Sequence, residues 1–130
     1  MQNSAIAAVL VHVPDVKAAL DWYQRAFPHA VRCRLEAFDF DYRAVGKVNL
    51  EIVCADKKVT AGAAGSVVYW RIPDFESGLA HLQDVGASLY RGPMDIEEDQ
   101  RMCQVRDPWG NCIGLRGPSA NKVTSRETPA

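Results

Sequence analysis

The sequence predicts an α+β fold in which two βαβββ modules form a curved mixed sheet around a central cavity. Three observations carry that expectation. An apolar strand running into Val13-Pro14-Asp15 and an amphipathic helix occurs twice: a shift of 59 positions (72 − 13) lays Ile72-Pro73-Asp74 on Val13-Pro14-Asp15, Leu79 on Leu20, Gln83 on Gln24 and Arg91 on Arg32. Each copy is followed by three short strand-like runs. Turn residues, Gly46-Lys47 in the first half and Asp107-Pro108-Trp109-Gly110-Asn111 in the second, separate the last two runs of each half. A repeat seen twice, with each copy one supersecondary unit, points to a pseudo-symmetric pair and away from a solenoid.

In chain order, Ala5 to Val13 is rich in Val and Leu and reads as the first strand. Pro14 cannot continue a central ladder, and Asp15 suits a helix N-cap. Val16, Leu20, Tyr23 and Phe27 then recur at helical spacing, and Pro28 stops the helix. Strands are expected over Val31 to Ala37, Phe38 to Val45 and Val48 to Cys54. In the second of these, Phe38, Phe40 and Tyr42 alternate with Asp39, Asp41 and Arg43, the period of a half-exposed strand. Ala55 to Gly65 is a polar, flexible linker. The second half repeats the order: a strand over Ser66 to Ile72, Asp74 as N-cap, and a helix with Phe75, Leu79 and Leu82 on one face that closes at Gly86. Strands follow at Ala87 to Arg91, Met102 to Arg106 and Cys112 to Arg116. The expected organisation is one domain over 1–117, with module 1 at about 5–54, the linker at 55–65 and module 2 at about 66–117, and a loose tail over 118–130.

Composition narrows the function classes. The chain has 130 residues, 48% apolar and 24% charged, as a soluble globular protein does. A net charge of −1 supplies no field for nucleic acid or an anionic membrane surface, so neither is an expected partner. The longest apolar run, Ala5 to Val11, is far short of the roughly 20 residues that span a bilayer. Met1-Gln2-Asn3-Ser4 lacks the basic stretch of a secretory signal, and the expected location is the cytoplasm. Cys33, Cys54, Cys103 and Cys112 form no metal-type spacing and are expected to be reduced and structural.

Val13-Pro14-Asp15 with Trp22-Tyr23, Asn49-Leu50-Glu51-Ile52, and Asp107-Pro108-Trp109-Gly110-Asn111 occur here in an order and spacing that resembles the vicinal oxygen chelate superfamily, which includes glyoxalase I, extradiol dioxygenases and the bleomycin resistance proteins. The resemblance covers Ala5 to Gly117. It implies a shared cavity and not one activity, since the superfamily spans isomerases, dioxygenases and binders. In its metal-dependent members, a His or Gln on the first strand and a Glu on the last strand of each half hold the ion. Carried over by the Pro-Asp register, those positions are Ala8, Val67, Glu51 and Gly114, of which only Glu51 has a donor atom. His12, four residues from Ala8 and about 13 Å along an extended strand, is too far to replace it. The implied metal is therefore none, and no other cofactor is expected. His12 and Arg71 fall where the family often places a ligand-contacting Arg. Small two-module members typically build each cavity from two chains, so a homodimer is expected, with Trp109 and the sheet edges as candidate interface elements.

Strand alternation sorts the faces. Val9, Val11 and Val13 suit the helix side, as do Val68, Trp70 and Ile72, Leu50 and Ile52, and Ile113 and Leu115. His12, Asn49, Glu51, Tyr69, Arg71 and Arg116 then face the cavity; of the aromatic strand Phe38, Phe40, Tyr42, which supplies a stacking wall, Phe40 and Tyr42 join them. These eight are the candidate ligand-binding residues. Bland readings stand beside them: Glu51 pairing with Arg71 or Arg116, His12 as a satisfied core histidine, Tyr69 as ordinary core. His29 and His81 read as surface residues. The expected function is metal-free binding of a small organic molecule, as in drug or metabolite sequestration and antibiotic resistance. The alternative is a glyoxalase-like lyase or isomerase with His12 as general base and Glu51 or Arg71 holding the reacting oxygen. A scaffold role using the fold alone stays open.

Overall fold

The structure is a computed structural model and describes residues 6–120. The element order is β1 (Ala8–Val13), α1 (Val16–Ala26), β2 (Val31–Leu35), β3 (Phe40–Val45), β4 (Val48–Cys54), then β5 (Val68–Arg71), α2 (Phe75–Asp84), β6 (Ser88–Ile96), β7 (Gln100–Arg106) and β8 (Cys112–Pro118). These are two βαβββ modules with two separate four-stranded mixed sheets, ordered β1-β4-β3-β2 and β5-β8-β7-β6. The chain divides into compact units at Ala61/Gly62, and each is described by itself.

In the first unit, Asp15 caps α1 by accepting the Ala18 N–H at 3.1 Å. At the other end, the Gln24 side-chain amide donates to the Ala30 carbonyl at 2.9 Å and fixes the exit before β2. The buried face of α1 is Ala19, Trp22, Tyr23 and Ala26, whereas Val16, Leu20 and Phe27 are only half-buried. The stripe is thus rotated from the one that the spacing suggests. Two alanines let the helix approach the sheet closely, and Trp22 brings the larger apolar area. Trp22 and Tyr23 meet edge to face at 4.9 Å. β1 pairs in parallel with β4, and Val13, Leu50 and Ile52 close the core against the helix.

The expected strand over Phe38 to Val45 is shorter. Glu36–Phe38 forms a 3-10 turn, and Phe38 stands 78% exposed. The reason lies in Arg34, which binds the carboxylates of Glu36, Asp39 and Asp41 together and tightens the chain between β2 and β3. Arg43, one of the polar set in the expected alternation, is buried, because it pairs with Leu50 on the helix side of the sheet. Burial, and the Arg32 charge, lower its pKa, and its guanidinium donates to the Tyr42 carbonyl at 3.1 Å.

The second unit departs from strict repetition. Val9 and Val68 are 59 residues apart (68 − 9), but their partners Leu50 and Ile113 are 63 apart (113 − 50), so module 2 holds four additional residues before its last strand. Three of them lie in the β6–β7 hairpin and one in the β7–β8 turn. β6 runs on to Ile96, making Asp95 part of a strand that was expected to end at Arg91, and it contains a cis Gly92–Pro93 peptide where its pairing with β7 is irregular. Asp74 occupies the N-cap of α2 without a side-chain cap bond. Phe75, Leu82, Ala87, Cys103, Val105, Ile113 and Leu115 form the core, while Val68, expected beneath the helix, is 41% exposed at the start of its strand.

The last strand continues through Pro118, two residues beyond expectation, and Ser119 is buried. Gly117 permits this, since a Cβ there would lie 2.2 Å from the Ile72 carbonyl oxygen. The Ser119 hydroxyl donates to Glu76 at 2.9 Å, and Arg101 reaches the same carboxylate at 3.2 Å while its Nε lies 3.0 Å from Asp95. Residues 121–130 of the expected tail lie outside the described residues. The Asp107–Asn111 turn is closed from within: the Asp107 carboxylate accepts the N–H groups of Trp109 at 2.9 Å and Asn111 at 2.8 Å. Asn111 in turn accepts the Gly62 N–H at 3.0 Å.

Two outcomes are expected. Asp107→Ala strands two turn N–H groups and should cost about 2 kcal/mol, a fall in Tm of roughly 5 to 10 °C in a calorimetric scan. Burial alone would raise the Glu76 carboxyl, but the bonds from Ser119 and Arg101 bring it below its ordinary 4.5. A lowered carboxylate pKa contributes stability that is complete above 4.5 and is lost as pH falls through the folded-state value, so Glu76→Gln should flatten the acid side of the stability–pH curve.

Candidate functional site

Each sheet has one face under its helix and one open face, and the ladder registers say which side chains share the open one. In the first sheet, the pairs Ala8 with Asn49, Leu10 with Glu51 and His12 with Val53 place His12, Asn49 and Glu51 on that face. Ala44 pairs with Asn49, so Phe40 and Tyr42 of β3 join them, opposite Leu35 and Cys33 of β2. Phe40 and Tyr42 stack at 6.0 Å with 16° between their planes. Leu10 and Leu35 are about half exposed beside them, at 50% and 46%. Burial, the Cys33 thiol and the Glu51 carboxylate all push the Tyr42 phenol above its usual pKa. His12 stands opposite Val53 rather than Glu51, one pleat repeat further along, about 7 Å away. Asp56, just past β4, is held below the usual carboxylate range by the N–H groups of Val59 and Lys58.

In the second sheet two rows cross all four strands. One runs Tyr69, Gly114, Gln104, Arg91, and the next runs Arg71, Arg116, Met102, Met94. Tyr69, Arg71 and Arg116 are therefore brought together on one open face. At the centre, the Tyr69 ring lies directly on Gly114: a Cβ on that glycine would meet ring carbons at 2.5, 2.6 and 2.8 Å. The ring is held from two other directions. The Gln104 amide donates to the Tyr69 hydroxyl at 2.9 Å, and the Arg116 guanidinium sits over the ring at 5.3 Å. Gln104 is itself oriented by the Cys112 thiol, which donates to its carbonyl oxygen at 3.3 Å. Burial raises the Cys112 pKa, keeping it a thiol and a donor. The Arg116 Nε is buried with no hydrogen-bond partner among the described residues, a deficit that costs about 1–3 kcal/mol unless something supplies an acceptor.

Gln104, Cys112 and Met102 were not among the candidates from the sequence. The signal existed: in β7, Met102, Gln104 and Arg106 alternate with the buried Cys103 and Val105. His29 and His81 are exposed, as expected.

The metal positions that the family resemblance assigns do not suit an ion. Ala8 and Val67 have no donor, Gly114 has no side chain, and the space that a side chain there would need is filled by the Tyr69 ring. Among the described residues, no group of three or more His, Cys, Asp or Glu is placed to hold a metal. What the geometry offers is a set of fixed aromatic surfaces, with hydrogen-bonding and cationic groups at their edges.

Gly114→Ala should displace the Tyr69 ring and cost about 1–3 kcal/mol by overpacking, read as a lower denaturant midpoint with an unchanged slope and a change in tyrosine fluorescence.

No family model matches the chain, and no curated protein matches it. Solved structures do. TnmS3, an antibiotic binding protein from a Streptomyces species, is 25% identical, with 92% of this chain and 99% of that one covered at a TM-score of 0.70. A glyoxalase/bleomycin resistance protein/dioxygenase superfamily member from Sphaerobacter thermophilus is 16% identical, with coverage of 90% and 99% and a TM-score of 0.71. The fosfomycin resistance protein FosX from Mesorhizobium loti is 15% identical, with coverage of 95% and 99% and a TM-score of 0.68. With paired βαβββ modules, a helix on one face of each sheet and an open face on the other, the chain has the fold of the vicinal oxygen chelate superfamily.

Proposed function

We propose that this protein binds a small organic molecule on its open sheet faces without a metal ion, as a sequestering or resistance protein does. The observation that carries this reading is the Tyr69 ring packed on Gly114, which places an aromatic surface at a position that a metal-dependent relative would give to a carboxylate ligand. The stacked Phe40 and Tyr42 offer a second such surface in the other module. Aromatic rings with polar groups at their edges are the usual composition of sites for flat organic ligands. The likeness to TnmS3, an antibiotic binding protein, supports the same reading. Within it, the chain acts as a cytoplasmic homodimer. Proton abstraction by His12 with Glu51 has weaker support, because the two side chains are offset along the ladder and do not face each other.

A thermal-shift panel of aromatic antibiotics and aromatic acids should contain at least one compound that stabilises the protein by about 2.7 kcal/mol at a hundredfold excess over Kd. Zinc, nickel and iron(II) titrated into metal-stripped protein should show no site tighter than about 1 μM. A panel without any hit would remove the binding reading. One metal per chain at submicromolar affinity, lost in Glu51→Ala, would remove its metal-free part.

A further inference from the structure

We infer that the ligand of the second sheet is an amphiphilic organic anion, with its oxyanion between Arg71 and Arg116 and its apolar body over Met102 and Met94. The inference rests on the binding reading above and adds the chemical class. Arg71 and Arg116 are direct partners in the parallel β5–β8 ladder, so two guanidinium groups project side by side from one face. Like charges placed opposite each other in a sheet are unfavourable, and such pairs are normally relieved by a neighbouring carboxylate. Here the open-face ladder positions of all four strands hold no Asp or Glu among the described residues. Three acids of this unit are engaged elsewhere: Asp95 and Glu76 bind Arg101 on the helix side, and Asp107 closes its own turn. The Arg71 side chain has no hydrogen bond or ion pair among the described residues, and the buried Arg116 Nε has no acceptor there.

The rest of the row fixes the shape of the anion. Arg116 pairs with Met102 and Met102 with Met94, so the row passes from two cations to two thioethers across the sheet. Met94 is 40% exposed, leaving an adaptable apolar surface next to the charges. A carboxylate or phosphonate group accepts from both arginines in the geometry that guanidinium favours, while the attached hydrocarbon covers the methionines. A small inorganic anion would leave that apolar half uncovered, and a cationic ligand would meet like charge.

The test uses three naphthalene probes with one body and different heads: 2-naphthoate, 2-naphthalenemethanol and 2-naphthylmethylammonium. Titration calorimetry with the full chain should give naphthoate an affinity at least about tenfold above the alcohol, with the ammonium weakest. Arg71→Gln, an exposed substitution whose folding is checked by circular dichroism, should bring naphthoate down to the affinity of the alcohol and leave the alcohol unchanged. Raising salt should weaken naphthoate alone. If the alcohol binds as tightly as naphthoate, the anion inference is overturned while small-molecule binding stands. If none of the three binds at about 1 mM, the inference is overturned and the binding reading loses its support from this face.

Discussion

The packing of Tyr69 on Gly114 is the constraint around which the second open face is arranged. A ring can lie on a sheet backbone only where no Cβ intervenes, and only if something prevents it from swinging into solvent. Gln104 fixes the hydroxyl, Arg116 covers the ring, and Cys112 fixes Gln104. These residues come from three strands, β5, β7 and β8, so the site exists only when the whole sheet is in register. The helix-side core of Val105, Ile113 and Leu115 sets that register, because a slip by one residue would turn an apolar side chain outward. Core packing on one face thereby determines how the side chains of the other are arranged.

The first sheet obeys the same rule with different contents. Its open face holds one carboxylate, one imidazole and a stacked aromatic pair, and its arginines sit elsewhere. Arg34 binds three carboxylates at the β2–β3 connection, and Arg43 is buried on the helix side. The two modules therefore share a fold and differ in the charge that they present. Divergence of this kind is cheap in a repeat, since outward-facing positions of a sheet carry little of its stability.

Much of the architecture was legible in the chain. The Pro-Asp repeat marked both strand-to-helix passages, and the turn residues marked both hairpins. Strand alternation placed His12, Asn49, Glu51, Tyr69, Arg71 and Arg116 on the faces where the ladders put them. The misses have physical causes. Phe38 looked like a strand residue by period, but the Arg34 carboxylate cluster is a tertiary arrangement invisible to local pattern. Arg43 belongs to the polar set of a half-exposed pattern, although the β3–β4 register turns it under the helix. The four-residue difference between the modules escaped a search at a single offset, and with it the length of β6. Alternation could have put Gln104 on the open face, but its role and that of Cys112 depend on the hydroxyl that Tyr69 presents, which no local pattern shows.

The close fit of ring to backbone also limits where this sequence can go. Introducing a carboxylate at position 114 by one substitution would drive its first carbon into a ring held on several sides. Removing Tyr69 first would leave Gln104 and Arg116 without the group that they hold. Either order passes through a damaged intermediate, so the two positions are epistatically locked. A carboxylate at position 114 is therefore hard to reach by single steps, whereas the positions around the ring are freer to change.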